Sequence, residues 1–322
     1  MLTGKFKSAA GETPMSRIVM GTFTLGSVVP EDQAFELLDR YYALGGRTID
    51  TARSYNGETK NGDSKAERTV CRWLRRSGAR KEVTLVTKGG YPELRNLHCS
   101  RLSPDCIRYD INTSLAVLDQ DYVDLFILHR DDPSIPVGEI VDAASEVVSD
   151  GLARAIGVSN WTTARIAEAN AYALAHDKTP FTVSQLQWNM AHFTREMMAD
   201  RTMLPMLPED YKWYQENHFP VMAYTSQAVG FFSKYPAVGL EGLNPRARVF
   251  ATPDNIARCE RVTEICKELG CSAAALCVAY IANNAVDGYA VIGSSNLRQL
   301  EDTMTAADMI ISQKVFEQIE KM

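Results

Sequence analysis

Eight short apolar runs punctuate this chain, most of them separated by stretches of helical periodicity. The runs cover residues 17–21, 48–50, 83–87, 123–128, 155–158, 183–187, 220–224 and 289–292. Helical periodicity fills 30–44, 64–76, 104–118, 137–149 and 163–175, and returns at 255–269, 272–283 and 298–306. A last helix is expected from Gln313. Gly45-Gly46 stops the first helix, and Ser103-Pro104 opens the third as N-cap and first helical residue. Strands alternating with helices imply parallel pairing through right-handed crossovers. A doubly wound sheet usually announces a phosphate site with GxGxxG after its first strand, and Gly21-Thr22-Phe23-Thr24-Leu25-Gly26 does not match. Eight units in 322 residues fit a closed cylinder better. The expected fold is therefore α/β: a single (β/α)8 TIM barrel with parallel strands and extended C-terminal-face loops, one domain over 1–322.

Composition narrows the function. Hydrophobic residues make up 45% and charged residues 23%, which suits a large core. The net charge of -6 argues against a general nucleic-acid binder, whose phosphate contacts need surplus cations. No apolar run has the length of a membrane span, and residues 1–21 contain no apolar leader, so no membrane contact and a cytoplasmic location are expected. Cys71, Cys99, Cys106, Cys259, Cys266, Cys271 and Cys277 form no CxxC pair and are odd in number, so free thiols are expected rather than disulfides or structural zinc. Asp131-Asp132 has no histidine or third carboxylate close in sequence, so no metal site is expected.

In such a barrel the reactive groups sit at the C-terminal strand ends. Those ends carry Asp50 and Tyr55, Lys88, His129, Ser159-Asn160, Gln185, Tyr224 and Gly293-Ser294-Ser295. Taken singly, each reads as a solvated loop residue or a satisfied structural side chain. Together they suit carbonyl reduction, which needs a proton donor to a developing alkoxide. A tyrosine with a pKa of about 10 is a weak acid at neutral pH, and a nearby ammonium such as Lys88 is expected to lower that pKa. A carboxylate such as Asp50 is needed to keep a pocketed lysine charged. A neutral His129 can orient the substrate oxygen.

Thr48-Ile49-Asp50-Thr51-Ala52-Arg53-Ser54-Tyr55 resembles the DTAxxY motif of the aldo-keto reductases. Thr87-Lys88, Leu128-His129-Arg130 and Gly157-Val158-Ser159-Asn160 resemble that family's strand-three lysine, strand-four histidine and GxSN motif. The matches run in family order from about residue 16 to residue 303. The resemblance implies a catalytic tetrad of Asp50, Tyr55, Lys88 and His129. It implies that Ser159, Asn160 and Gln185 hold a nicotinamide carboxamide and that Tyr224 stacks on the ring, with Thr225 and Ser226 beside it.

The stretch 291–302 resembles the family's adenosine and 2′-phosphate loop, most closely in the branch containing the potassium-channel beta subunits. Gly293, Ser294, Ser295, Gln299 and Asp302 are its candidate contacts. The chain departs from the pattern at Thr303, where a family asparagine stands, and at Gly293, where some members place a basic residue. Lys234, Arg246 and Arg248, in the long loop expected after the seventh strand, are the candidate partners of a 2′-phosphate. NADP(H) is thus the expected cofactor, with NAD(H) possible.

Phe23, Tyr91, Trp161, Trp188, Phe193, Phe231 and Phe232 put aromatic rings in the loops, and Phe23 and Trp161 join Tyr55 and His129 as candidate substrate contacts. Arg130, Asp131 and Asp132 follow His129 and offer polar contacts. The reading is an NAD(P)H-dependent reductase of a small aldehyde, ketone or keto-sugar, with Tyr55 as general acid. The alternative is an NADPH-binding, redox-sensing regulatory subunit. The first strand begins near residue 17, with no long N-terminal arm of the kind that carries a regulatory segment, which favours the enzyme. A barrel isomerase or lyase stands third, and would turn over without net NADPH consumption.

Overall fold

The computed structural model describes residues 1–55, 64–92 and 99–321. Among these the chain opens with a hairpin, β1 (Thr3–Ser8) and β2 (Gly11–Ser16). The barrel strands follow: β3 (Ile18–Gly21), β4 (Thr48–Asp50), β5 (Thr84–Gly89), β6 (Leu125–Leu128), β7 (Ile156–Ser159), β8 (Ser184–Gln187), β9 (Val221–Tyr224) and β10 (Gly288–Ile292). Each of the eight expected runs is one of these strands. They close as a cylinder in the order β10-β3-β4-β5-β6-β7-β8-β9, and every neighbour pair is parallel.

Helices wrap the cylinder: α1 (Glu31–Ala43), α2 (Lys65–Ser77), α3 (Pro104–Leu118), α4 (Val137–Ser149), α5 (Thr163–Ala175) and α6 (Pro208–Asn217). Then come α7 (Phe231–Gly242), α8 (Pro245–Arg248), α9 (Pro253–Leu269), α10 (Ala273–Ala282), α11 (Leu297–Met304) and α12 (Gln313–Glu320). Ser103 accepts a hydrogen bond from Cys106 N at the start of α3, with Pro104 in the first turn. No single helix among the described residues is long and apolar enough to cross a membrane.

Strand alternation sorts the side chains into two cores. Ile18, Met20, Ile49, Leu85, Phe126, Leu128 and Ile156 face the helices. Val19, Val86, Leu125, Ile127, Ala155, Val183, Met222 and Tyr289 fill the cylinder. Asp50 and Lys88 continue this inward face towards the C-terminal rim: Lys88 lies two residues from inward Val86, and Asp50 lies one residue from outward Ile49.

The structure differs from the sequence reading in three places. The hairpin β1–β2 precedes the first expected run and plugs the cylinder: Phe6 and Met15 are buried with Tyr289 and Val19. Ala9 N donates to Arg154 O at 2.7 Å, tying the hairpin turn to the loop before β7. One large apolar residue in 3–8 is too little alternation to read as a strand. Helix α6 lies between β8 and β9, where periodicity predicts none, since it buries only Asp210 and Tyr214. The segment after β9, read as a long loop, contains α7 and α8. Pro236 and Gly239, at φ 61°, interrupt the α7 pattern.

Candidate functional site

Lys88 is the centre of the C-terminal mouth. Its Nζ is wholly buried and donates to Asp50 Oδ2 at 2.7 Å, Thr51 O at 2.8 Å and Tyr55 OH at 2.9 Å. Three donors thus meet three acceptors. Asp50 also accepts from Gln185 Nε2 on Oδ1, at 3.1 Å. Burial pushes the Lys88 pKa down, and the Asp50 carboxylate opposes the shift.

A turn after β4 brings Tyr55 back over this pair. Thr51 N donates to Val86 O at 2.9 Å, Arg53 N to Lys88 O at 3.2 Å and Tyr55 N to Ala52 O at 3.1 Å. Arg53 Nε lies 2.9 Å from the buried Asp110 of α3. Asp110 also takes the Gly90 N–H at 2.8 Å and pairs with Arg101. One carboxylate therefore joins the turn carrying Tyr55 to the end of β5.

Burial, and then the Asp50 charge, hold the Tyr55 pKa well above 10. The net shift is opposite to the one expected from Lys88 alone: desolvation of a phenolate and the Asp50 charge outweigh the lowering by Arg130. His129 moves the other way. Burial, then Lys88 and Arg130, push its pKa well below 6.5, so the ring is neutral. His129 N donates to Gly89 O at 2.8 Å, and its ring lies 5.0 Å from that of Tyr91 and 5.8 Å from that of Tyr55. The Phe23 ring, 53% exposed, stands edge-on to Tyr55 at 5.2 Å.

Arg130 is held by the protein: it donates to His129 O and Thr202 Oγ1, both at 3.0 Å, and pairs with Asp200 at 3.3 Å. Its guanidinium covers Tyr91 at 4.8 Å. Asp131 faces Arg165 at 3.5 Å. Trp161 is 1% exposed, packs on Phe181 at 5.4 Å and donates to Arg130 O at 3.2 Å, which leaves it no surface to offer a substrate. Trp188, Phe231 and Phe232 are buried in the core as well.

The other half of the mouth gathers Ser159, Asn160, Gln185 and Tyr224. Asn160, at φ 62°, donates from Nδ2 to Ser159 Oγ at 2.9 Å and to His129 O at 3.4 Å. Its Oδ1 accepts from Leu204 N at 3.1 Å and Tyr224 OH at 2.7 Å. Both donors and both lone pairs of that amide are engaged within the protein. Thr225, at φ 55°, and Ser226 follow on the same rim, and Ser226 Oγ donates to Val291 O at 2.7 Å.

Beyond β10, Gly293 has open space around its Cα hydrogens, and Ser294 is buried. Ser295 N donates to Gln299 Oε1 and Gln299 N to Asn296 Oδ1, both at 3.0 Å, at the start of α11. Asp302 is half-buried on α11. Thr303 is buried and accepts from Gln227 Nε2 at 3.0 Å. Lys234 on α7 and Arg246 and Arg248 on α8 are exposed. Arg248 donates to Leu243 O at 2.9 Å and Glu241 O at 2.8 Å, whereas Lys234 and Arg246 form no ion pair among the described residues.

Sequence reading passed over three side chains here. Gln187 shares the inward face of β8 with Gln185, and its Nε2 is buried with no hydrogen-bond partner among the described residues. The two-residue spacing from Gln185 was the available signal. Ser54 touches His129, and Asp110 holds Arg53. Neither has a signal in the sequence, because both contacts join distant segments.

The sequence profile of the Aldo/keto reductase family matches residues 17–322. Norsolorinic acid reductase of Emericella nidulans is 27% identical over 322 residues, covering 95% of this chain and 78% of its own. A putative aryl-alcohol dehydrogenase of Saccharomyces cerevisiae is 25% identical, covering 96% of this chain and 83% of its own. The NADP(+) aryl-alcohol dehydrogenase of Phanerodontia chrysosporium is 26% identical over 209 residues, covering 60% of this chain and 52% of its own.

Proposed function

The chain belongs to the aldo/keto reductase family, and on that premise we propose that it reduces small aryl aldehydes or ketones with NADPH, using Tyr55 as general acid. It is a carbonyl-reducing oxidoreductase, and its family uses NAD(P)H. The observation that carries the finer reading is one ammonium, Lys88 Nζ, 2.7 Å from Asp50 and 2.9 Å from Tyr55 in a buried network.

The residues present fit a nicotinamide. The orphaned Gln187 Nε2 is a buried donor that a bound amide would satisfy. Ser159 and Gln185 would share the carboxamide with it, and Tyr224 would flank the ring. Asn160, already saturated, would position Ser159 and Tyr224 rather than bind directly. Ser294, Ser295, Gln299 and Asp302 would take the adenosine end, with Gly293 leaving room for it, and Thr225 and Ser226 would line the same rim. Lys234 and Arg246 would supply the cations for a 2′-phosphate, whereas Arg248, held by the carbonyls of Leu243 and Glu241, would brace the end of α7.

A bound nicotinamide supplies hydride to the carbonyl carbon. Tyr55, held protonated by its raised pKa, gives its proton to the carbonyl oxygen as negative charge grows there. Lys88 stabilises the phenolate as it forms, and Asp50 keeps Lys88 charged. Neutral His129 donates an N–H to the same oxygen. Solvent then returns a proton to Tyr55. Phe23 and Tyr91 give the mouth aromatic walls, which suits aryl substrates such as those in the names of the yeast and Phanerodontia relatives.

The test follows NADPH absorbance with benzaldehydes, aliphatic ketones and keto-sugars, comparing wild type with Tyr55→Phe. The expected result is turnover in the wild type, a loss of about 100- to 10,000-fold in kcat in the variant, and nearly unchanged NADPH affinity. Equal turnover in both proteins removes Tyr55 from its role. Tight NADPH binding without turnover of any substrate moves the reading to a redox-sensing regulatory subunit.

A further inference from the structure

His129 has two ring nitrogens, and the described residues engage one of them. Nδ1 lies 3.3 Å from Ser54 Oγ. Among the described residues none hydrogen-bonds Nε2. The backbone of His129 is committed as well: its N–H to Gly89 O at 2.8 Å, its carbonyl to Arg130 Nη1 at 3.0 Å and Asn160 Nδ2 at 3.4 Å. With the rings of Tyr55 and Tyr91 packed against it, the imidazole is held in this orientation.

A neutral imidazole carries one proton, and the hydrogen bond at one nitrogen decides which nitrogen holds it. Burial among the cations Lys88 and Arg130 keeps His129 neutral. Ser54 Oγ is half-buried and has no other hydrogen-bond partner among the described residues, so its proton is available to Nδ1. With the ring proton on Nδ1, a substrate carbonyl would meet a lone pair on Nε2, and the two acceptors would repel. The position of Ser54 is itself set from outside the mouth. The residue before it, Arg53, is anchored to Asp110 at 2.9 Å and to Lys88 O at 3.2 Å.

We propose that Ser54 is a positioning residue that donates to Nδ1 of His129 and so keeps the ring proton on Nε2, where a carbonyl oxygen accepts it. The functional half of this statement rests on His129 acting as the carbonyl's hydrogen-bond donor, as read above. The tautomer itself does not.

Histidine-15N spectra of the full chain, with and without NADPH, decide it. The His129 resonances are those missing from His129→Gln. The wild type is expected to show protonated Nε2 and an Nδ1 shifted by accepting a hydrogen bond. Ser54→Ala should return Nδ1 to its unbonded position and admit some Nδ1-protonated form, and Ser54→Thr should restore the wild-type pattern. Aldehyde turnover in Ser54→Ala should fall about three- to tenfold in kcat, the size of one neutral hydrogen bond, with NADPH affinity unchanged. A proton on Nδ1 in the wild type overturns the proposal, and that spectrum needs no variant to fold. So does an Nδ1 resonance that Ser54→Ala leaves in place. A tautomer change without any change in turnover upholds the control by Ser54 and removes His129 from the chemistry instead.

Discussion

Lys88 spends all three of its ammonium protons inside the protein, on Asp50, Thr51 and Tyr55. A buried cation is tolerated only when paired and fully hydrogen-bonded, so these contacts stand or fall together. The spacing of Asp50, Tyr55 and Lys88 shows which groups meet. It does not show the sign of the Tyr55 shift, because desolvation depends on depth, and depth is a property of the closed barrel. In the structure burial wins, and the phenol's pKa is raised rather than lowered. His129 gives a prediction with a definite sign. Its pKa is depressed in the fold, so the unfolded chain binds a proton as pH falls past about 6.5 while the native state does not. The stability it contributes is complete above that pH and is lost as pH falls towards the folded value, with a slope of up to about 1.4 kcal/mol per pH unit. Urea unfolding at pH 7.5 and 5.5 should show a smaller pH dependence in His129→Gln than in the wild type. Equal dependence in the two proteins would contradict a buried neutral ring.

At the level of single elements, the strand-end motifs were legible through their resemblance to the family pattern, and at one position the structure shows why the pattern needs its residue. That position is Gly157 in β7: a Cβ there would lie 2.7 Å from Val183 O and force β7 away from β8, displacing Ser159. Helices α7 and α8 were not legible, because Pro236 and a left-handed Gly239 hide the helical period. Folding these residues into helices separates three cations that look equivalent in sequence. Arg248 is committed to the carbonyls of Glu241 and Leu243, while Lys234 and Arg246 are exposed. Combining Lys234→Ala with Arg246→Ala should therefore weaken NADPH about 10- to 100-fold in a fluorescence titration, with NADH nearly unaffected. Arg248→Ala should affect both cofactors alike, through the loosened end of α7. If the double variant weakens NADPH and NADH in parallel, neither cation meets a 2′-phosphate.

For the molecule as a whole, one end of the cylinder is sealed and the other gathers the polar network around Lys88. The hairpin seals the N-terminal end through Phe6 and Met15 against Tyr289 and Val19. Phe6→Ala should cost about 3–5 kcal/mol in chemical denaturation and leave NADPH affinity unchanged, since Lys88 and Tyr55 stand at the opposite rim. A loss of affinity matching the loss of stability would show that the plug and the mouth are coupled. The sequence by itself determined the eight strands and the group of polar residues at their ends. The strands follow from local periodicity, and the polar group from its place at the strand ends and its resemblance to a family pattern. Only the tertiary structure decided that a hairpin plugs the barrel, that Trp161 is core, that Asn160 is saturated and that Ser54 reaches His129. Each of those depends on segments far apart in the chain coming into contact, and on how much water that contact excludes.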